Sequence, residues 1–189
     1  MEERYLAAFV PGNQPGARLL EPLPSTEAKV RITLYQGLTK GERMDYTVQK
    51  CTEIGVQAII PCMMQRCVAR DGDSKQQRWQ RIAREAARQA QRTTVPMVGS
   101  LLSFEEMCSA LKHHQQALVP WEEGGRTLQQ AVKGAQDIAL IIGPEGGITM
   151  EEIEAMQATP LTLGPRILRA ETAGLVAAAG ILLLSGDMA

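Results

Sequence analysis

The sequence predicts an α/β fold in which helices flank a mostly parallel sheet. Two apolar runs near the C-terminus, Ala139–Ile142 and Leu161–Leu163, are each followed at once by a Gly-Pro turn. Between them, Thr149 stands three residues before Glu152, which is the spacing of a capping box that starts a helix. Short apolar runs alternate with helical patterns along most of the chain, and this alternation is typical of parallel strands joined by crossover helices.

The first part of the chain provides a β-α-β unit. Tyr5–Val10 and Lys29–Tyr35 are predicted strands, separated by a segment rich in Pro and Gly. A helix is predicted over Glu42–Ile54, because its apolar residues recur at helical spacing and Gly55 follows its end. Gln57–Met63 then has the composition of a buried strand, and the handedness rule predicts a right-handed crossover between the strands on either side of the helix.

The next predicted helix, Ser74–Arg92, carries a strong excess of positive charge. From residue 66 to residue 92 there are eight Lys or Arg and three Asp or Glu. Four arginines recur at three- and four-residue spacing and so share one face: Arg81, Arg84, Arg88 and Arg92. A solvated helix face explains this pattern, and so does a surface that contacts RNA or phosphate; the excess of one sign in a slightly acidic chain favours the second explanation.

The second half of the chain continues the alternation of strands and helices. Predicted strands are Pro96–Gly99 and Gln116–Val119, and predicted helices are Ser103–Leu111, which opens with a second capping box, and Thr127–Val132. The uncharged segment Thr172–Ser185 is too short to span a bilayer. We interpret it as a helix buried on nearly all sides, whose Ala and Gly residues allow another helix to approach closely, as at a subunit interface.

Composition excludes several classes of protein. A net charge of −1 argues against a uniformly basic nucleic-acid binder, although it allows a local basic patch. The four cysteines form no CxxC pair and the two histidines are adjacent, so neither a zinc site nor a redox pair is indicated. The N-terminus lacks the basic and then apolar pattern of an export signal, so we expect a cytoplasmic protein.

The two glycine-proline loops are the candidate ligand site. Both follow strands, and ligands of open α/β sheets bind at the carboxyl ends of strands. The GPEGG segment at residues 143–147 has neither the Lys-Ser/Thr of a P-loop nor the spacing of a dinucleotide fingerprint, so two tight structural turns are an alternative explanation. Exposed glycine backbone allows a ligand to approach closely, and Leu163, Ile167 and Leu168 could line a pocket for an adenine ring.

The residues around these loops resemble a known family. IIGPEGGITMEEI and LTLGPRILRAETA are similar to the signature of the SPOUT, or α/β-knot, methyltransferases that methylate N3 of a uridine in small-subunit ribosomal RNA. Further matches are KGERMD at residues 40–45, QK at 49–50, EIGV at 53–56, QRC at 65–67 and EAARQ at 85–89 with Arg92. The resemblance covers residues 29–186, about the whole of the predicted α/β region.

The resemblance implies a C-terminal deep trefoil knot, in which the segment after Leu163 passes through a loop formed by the preceding strands. It also implies that S-adenosylmethionine is the cofactor and lies bent in the knot, held by three loops at residues 118–121, 143–147 and 163–173. The residues expected to contact it are Leu118, Pro120, Ile142, Gly143, Glu145, Gly146, Gly147, Leu163, Gly164, Ile167, Leu168, Thr172 and Ala173.

Two residues are candidates for the chemistry. Methyl transfer requires loss of the weakly acidic N3 proton of uridine or stabilisation of the resulting anion. Arg169 could stabilise negative charge on a uracil carbonyl or hold a phosphate, and Glu171 could act as the base or orient Arg169. A structural ion pair that caps the terminal helix is the alternative for both. The expected RNA contacts are Lys40, Arg43, Arg66, Arg88 and Arg92.

The resemblance also predicts domains and partners. Residues 28–189 correspond to the SPOUT domain, whereas residues 1–27 correspond to a remnant of an N-terminal PUA-like β-barrel that helps the family to grip RNA; truncation, a short natural form and a misplaced start remain open. The expected partners are 16S rRNA in the small ribosomal subunit and a second copy in a homodimer, with no membrane and no metal. A related tRNA or 23S rRNA methyltransferase and a non-catalytic RNA-binding factor are the alternatives.

Overall fold

A computed structural model describes residues 4–69, 75–132 and 134–188. The N-terminal part forms a separate antiparallel hairpin of β1 (Arg4–Val10) and β2 (Gly16–Leu23). The remaining strands form one seven-stranded sheet. They are β3 (Arg31–Gly37), β4 (Ala58–Cys62), β5 (Met97–Val98), β6 (Gln116–Pro120), β7 (Arg126–Thr127), β8 (Asp137–Ile142) and β9 (Thr159–Thr162).

The sheet has the order β5-β4-β3-β8-β6-β9-β7, and every pairing between these neighbours is parallel. Its helices are α1 (Arg43–Ile54), α2 (Gln76–Gln89), α3 (Phe104–Leu111), α4 (Leu128–Ala131), α5 (Met150–Met156) and α6 (Ala170–Leu184). The predicted α/β fold with a mostly parallel sheet is therefore confirmed.

Two apolar cores lie on opposite faces of the sheet. Successive residues of a strand point to opposite faces, and in β8 Ile138 and Leu140 belong to one core while Ala139 and Ile141 belong to the other. The first core includes buried residues of α1, α2 and α6, and the second includes buried residues of α3 and α5. Because β8 is buried on both faces, it appears in the sequence as a continuous apolar run.

The glycine and capping-box patterns in the sequence predicted the ends of several helices correctly. α1 ends at Gly55, which adopts a left-handed conformation with φ of 112°. The two predicted capping boxes are present at the starts of α3 and α5, where Ser103 and Thr149 each accept a hydrogen bond from a backbone N–H three residues on. A third capping box, at Thr127, starts the short α4.

The N-terminal prediction needs correction. Residues 16–23 form a strand, β2, where the sequence analysis found only a Pro- and Gly-rich segment. Most side chains of β2 are exposed, so the strand lacks the apolar alternation that marks a half-buried strand. β3 begins at Arg31 and not at Lys29, since the N–H groups of Lys29 and Val30 donate to the Asp187 carboxylate at 3.0 and 3.1 Å.

The arginine-rich helix is shorter than predicted. It ends at Gln89, and the chain then turns through Gln91, whose φ is positive at 55°. Arg92 consequently leaves the face that carries the exposed Arg81, Arg84 and Arg88. The predicted helix start, Ser74, and the nearby charges Arg70, Asp71 and Asp73 lie outside the described residues.

Arg92 points into the molecule, where its side chain is only 3% exposed. Its Nη1 donates to the backbone carbonyls of Thr52 and Val56 at 2.9 and 2.8 Å, which caps the C-terminal end of α1. Its Nε and Nη2 donate to the Glu27 carboxylate. The side chain is therefore not available to a phosphate, and we leave Arg92 out of the RNA-contact set.

The terminal helix α6 is buried on one side only. Gly174, Ala177 and Ala178 face the interior, whereas Val176 and Leu183 are 41% and 60% exposed. The prediction of a helix buried on nearly all sides is thus wrong for a single chain, because the small residues serve packing within it. Within the described parts of the chain, no helix is both long and apolar enough to cross a membrane.

Replacing Arg92 with Met should destabilise the fold by about 2–3 kcal/mol, because the carbonyls of Thr52 and Val56 each lose a donor and the Glu27 carboxylate loses its positive partner while it still accepts from residues 93 and 94. Urea denaturation measures the free energy of unfolding. Arg88→Met on the exposed face of α2 is the matched control and should change it by about 0.5 kcal/mol or less. Equal effects of the two substitutions would contradict the structural role of Arg92.

Candidate functional site

A cleft of about 630 Å³ lies at the carboxyl ends of β6, β8 and β9, which are neighbours in the sheet. The loops that leave these three strands form its walls. They are lined by Arg43, Ala173 and residues 120–122, 142–148 and 162–171. Sites for small molecules typically have volumes of about 300–1,000 Å³ and combine apolar walls with a few polar groups. The cleft has this size and character.

The loop after β8 is tight because its glycines touch neighbouring groups. A Cβ atom on Gly143 would lie 2.5 Å from Cγ1 of Ile148, and one on Gly146 would lie 2.9 Å from Cβ of Arg66. Larger residues at these positions would push the loop outwards. The loop therefore presents backbone to the cleft at close range, as a bound ligand requires.

Arg43 connects three parts of the site. Its Nη1 donates to Oε1 of Glu145 in the loop after β8 at 2.5 Å, and its Nε lies 3.7 Å from Oε1 of Glu171 in the first turn of α6. The backbone N–H of Lys40 also donates to Oε1 of Glu145, at 2.9 Å. The first turn of α1 thus holds Glu145 and Glu171, two of the carboxylates that line the cleft, in place.

Glu145 is a carboxylate whose charge is stabilised by these contacts. Burial raises the pKa of Glu145, but the hydrogen bonds from the Lys40 N–H, its own backbone N–H and Arg43, together with the charge of Arg43, outweigh burial and lower the pKa. Glu145 consequently stays ionised at neutral pH and holds Arg43 near the cleft.

Arg169 and Glu171 both line the cleft but do not pair with each other. Arg169 is the exposed N-cap residue of α6, and its side chain has no hydrogen bond or ion pair within the described residues. Glu171 is 13% exposed and its ion partner is Arg43. Its Oε2 is buried and accepts no hydrogen bond. The structure therefore does not support the alternative in which Glu171 orients Arg169.

Most of the predicted cofactor contacts line the cleft, including the apolar Leu163, Ile167 and Leu168. Two do not: Leu118 is fully buried in the core under the cleft, and Thr172 lines an adjacent cavity. Trp121 lies in the loop 118–121 that the resemblance implies, although it was not among the residues expected to contact the cofactor, and Glu122, just beyond that loop, was not predicted. Their position after a predicted strand end was the available signal.

The adjacent cavity, about 680 Å³, shares Arg43, Arg169 and Glu171 with the cleft. Its remaining lining residues are Lys40, Gly41, Glu42, Tyr46 and Thr172. Tyr46 was not predicted as a site residue. It lies on α1 outside the buried positions, and its side chain is 44% exposed.

The predicted RNA contacts divide into two groups. Lys40, Arg43 and Arg66 lie beside the cleft, where Nη1 of Arg66 donates to the carbonyl of Gly146 at 3.0 Å. Arg88 is exposed on α2. The described residues contain no group of three or more His, Cys, Asp or Glu placed to hold a metal ion.

Comparison with known proteins identifies the family. Residues 26–182 match the family model described as RNA methyltransferase domain. The chain is also 33% identical to the ribosomal RNA small subunit methyltransferase E of Bacillus subtilis, over 85% of this chain and 70% of that protein. The chain belongs to this methyltransferase family. The family member of the same name from Mycobacterium bovis is 34% identical, over 90% of this chain and 71% of that protein.

A solved structure of the same family supports the fold. The family member from Neisseria gonorrhoeae, bound to S-adenosyl methionine, superposes with a TM-score of 0.87 at 32% identity, and the match covers 97% of this chain and 79% of that one. The SPOUT α/β sheet implied by the sequence resemblance is confirmed. The trefoil knot stays a prediction.

Replacing Arg43 with Met should raise the pKa of Glu145 towards that of an ordinary carboxyl, because a charge-assisted hydrogen bond and a nearby positive charge are lost. Carbon-detected NMR titration of the glutamate side chains measures this pKa. Arg66→Met is the control, since Arg66 contacts the same loop through the Gly146 carbonyl. A Glu145 pKa that is the same in both variants would contradict the role of Arg43.

Proposed function

We propose that this protein transfers a methyl group from S-adenosylmethionine to N3 of a uridine in 16S rRNA of the small ribosomal subunit. The observation that carries the proposal is the cleft between the loops after β6, β8 and β9, in a chain of the ribosomal RNA small subunit methyltransferase E family. Methyl transfer to small-subunit ribosomal RNA is given in the names of its relatives, and N3 of uridine is what the sequence resemblance implies. The cleft and its charged residues give them a physical basis.

The residues present fit the methyl donor. Leu163, Ile167 and Leu168 provide apolar walls for an adenine ring, and the tight loop at Gly143 and Gly146 lets backbone groups approach a polar ligand. When bound, S-adenosylmethionine supplies a sulfonium methyl group to which the electron pair of the uridine N3 forms a bond, leaving a neutral thioether.

In this proposal, two residues of the chain assist the reacting base. The Glu171 carboxylate, which accepts no hydrogen bond within the described residues, takes the N3 proton as the nitrogen forms its bond to the methyl carbon. Arg169 has no partner in the described chain, so its guanidinium is free to stabilise negative charge on a uracil carbonyl. Arg43 keeps the Glu171 carboxylate at the border of the two cavities.

Calorimetric titration with S-adenosylmethionine tests the cofactor site. The unmodified chain should bind in the micromolar range. Gly143→Val should weaken binding by about tenfold or more, because the added side chain collides with Ile148 and displaces the loop. Gly12→Val is the matched control, since nothing lies within 4 Å of a Cβ at Gly12.

The bound chain should then methylate small subunits that lack the modification, with 3-methyluridine as the product by mass spectrometry.

Absence of cofactor binding by the folded, unmodified chain would contradict the enzyme assignment and favour a non-catalytic RNA-binding factor. Methyl transfer only to tRNA or 23S rRNA would retain the chemistry and overturn the substrate. Circular dichroism shows whether Gly143→Val is folded. If that variant does not fold, the result for the unmodified chain still decides the question.

We place the RNA on the exposed arginine face of α2 together with Lys40 and Arg66. Arg88→Ala should weaken RNA binding and reduce the slope of log K against log salt by about 0.7–0.9, because one phosphate contact is lost. Its affinity for S-adenosylmethionine should not change. Lys112→Ala is the control, because Lys112 is exposed after α3, and α3 packs on the opposite face of the sheet from α2. An unchanged salt slope for Arg88→Ala would contradict this assignment.

We further propose that the protein is a homodimer in which α6 contributes to the interface. The support is the exposed apolar side of α6, which includes Val176, Leu183 and Leu184. Leu183→Asp should convert the dimer to a monomer in light scattering, because a charge would be buried in the interface. Leu19→Asp on the hairpin is the control, since the two leucines are 60% and 61% exposed. A monomeric unmodified chain would contradict the proposal.

The family resemblance supports two further assignments. We propose that residues 1–27, with the β1–β2 hairpin, correspond to the last part of a PUA-like barrel and that the rest of the chain forms the methyltransferase domain. We also propose that the protein is cytoplasmic, since its proposed substrate is ribosomal RNA.

A further inference from the structure

The cavity beside the cofactor cleft has an unusual set of polar groups. Three cations and a second carboxylate share its lining with Glu171, which lies between this cavity and the cleft: Lys40, Arg43, Arg169 and Glu42. The Glu171 carboxylate is mostly buried, its ion pair with Arg43 is long at 3.7 Å, and its Oε2 accepts no hydrogen bond. A buried acceptor without a donor is costly, so a ligand that donates a hydrogen bond here would be stabilised.

We propose that this second cavity holds the pyrimidine ring of the target nucleotide and that Glu171 selects uracil over cytosine. The inference rests on the proposed function, since it assigns base selectivity to the same site. Arg43, Arg169 and Glu171 line both cavities, so a ring held by them has its reactive edge at the border with the cofactor cleft.

The selectivity follows from the hydrogen-bonding pattern of the two bases. The edge of uracil presents an acceptor, the N3–H donor and a second acceptor, whereas cytosine presents an unprotonated N3 acceptor and an amino donor. An ionised carboxylate only accepts, and Lys and Arg side chains only donate. The Glu171 acceptor, in a lining that also holds the donors of Lys40 and Arg169, therefore complements uracil. With cytosine, N3 and the carboxylate would be two buried acceptors facing each other.

Tyr46 contributes to affinity and not to selectivity. It lines the cavity from α1 and its side chain is 44% exposed, so its aromatic face is accessible to a base. Stacking on an aromatic side chain is tolerant of sequence because every base has a π-face. Loss of the Tyr46 ring should therefore weaken the binding of uracil and cytosine alike, in contrast to loss of the Glu171 charge.

Fluorescence anisotropy with labelled hexauridylate and hexacytidylate tests the proposal without any methyl transfer. The unmodified chain should bind hexauridylate about tenfold more tightly than hexacytidylate. Glu171→Gln should reduce this ratio to about twofold or less, since the amide of Gln both donates and accepts. Tyr46→Ala should weaken binding of both oligonucleotides by about tenfold and keep the ratio. Glu154→Gln, an exposed carboxylate of α5 outside both cavities, is the matched control and should change neither.

A second measurement uses the unmodified chain alone. A hexamer of 3-methyluridine lacks the N3–H donor and should bind as weakly as hexacytidylate. Three results would each overturn the proposal. They are equal binding of the uracil and cytosine oligomers, tight binding of the 3-methyluridine oligomer, and an unchanged ratio of uracil to cytosine affinity in Glu171→Gln. Cofactor binding and methyl transfer are measured separately. If one of these results is obtained while methyl transfer is retained, the selectivity of Glu171 is refuted and the proposed function stands.

Discussion

Arg43 holds three distant parts of the chain together at the carboxyl edge of the sheet. Glu145 enters from the loop after β8 and Glu171 from the first turn of α6, and both carboxylates meet the guanidinium at the start of α1. The parallel sheet makes this possible, because the carboxyl ends of β3, β8, β6 and β9 lie side by side. The end of β3 and the loop after β8 are also closely packed, since a Cβ on Gly37 would lie 2.6 Å from the backbone nitrogen of Pro144.

Those features of the fold that depend on short-range patterns could be predicted from the sequence. β8 is buried on both faces and is therefore a continuous apolar run, and the capping boxes at Ser103 and Thr149 fix the starts of α3 and α5. β2 and β7 could not be found in this way. β2 exposes most of its side chains and so has no alternation. β7 has two residues, both polar and exposed, so no apolar run marks it, in contrast to the equally short β5.

The site could be predicted only in part, because only some of its features depend on short-range sequence patterns. Its loops follow strand ends and contain glycine, so residues 143–147 and 163–168 were recognisable. The partners of the charged residues were not, since Arg43 and Glu145 are 102 positions apart in sequence. Arg92 illustrates the consequence. Helical spacing assigned it to an exposed basic face, but the turn at Gln91 directs it to Glu27 and the end of α1.

We propose that the loops after β6, β8 and β9 form the methyl-donor site, next to a cavity for the target base. The most direct test is to follow backbone amide chemical shifts by NMR while S-adenosylmethionine is added. We expect the largest changes in residues 121–122, 142–148 and 162–173. Changes centred instead on the groove between α1 and α2, which Gln49, Glu53 and Glu85 line, would contradict it.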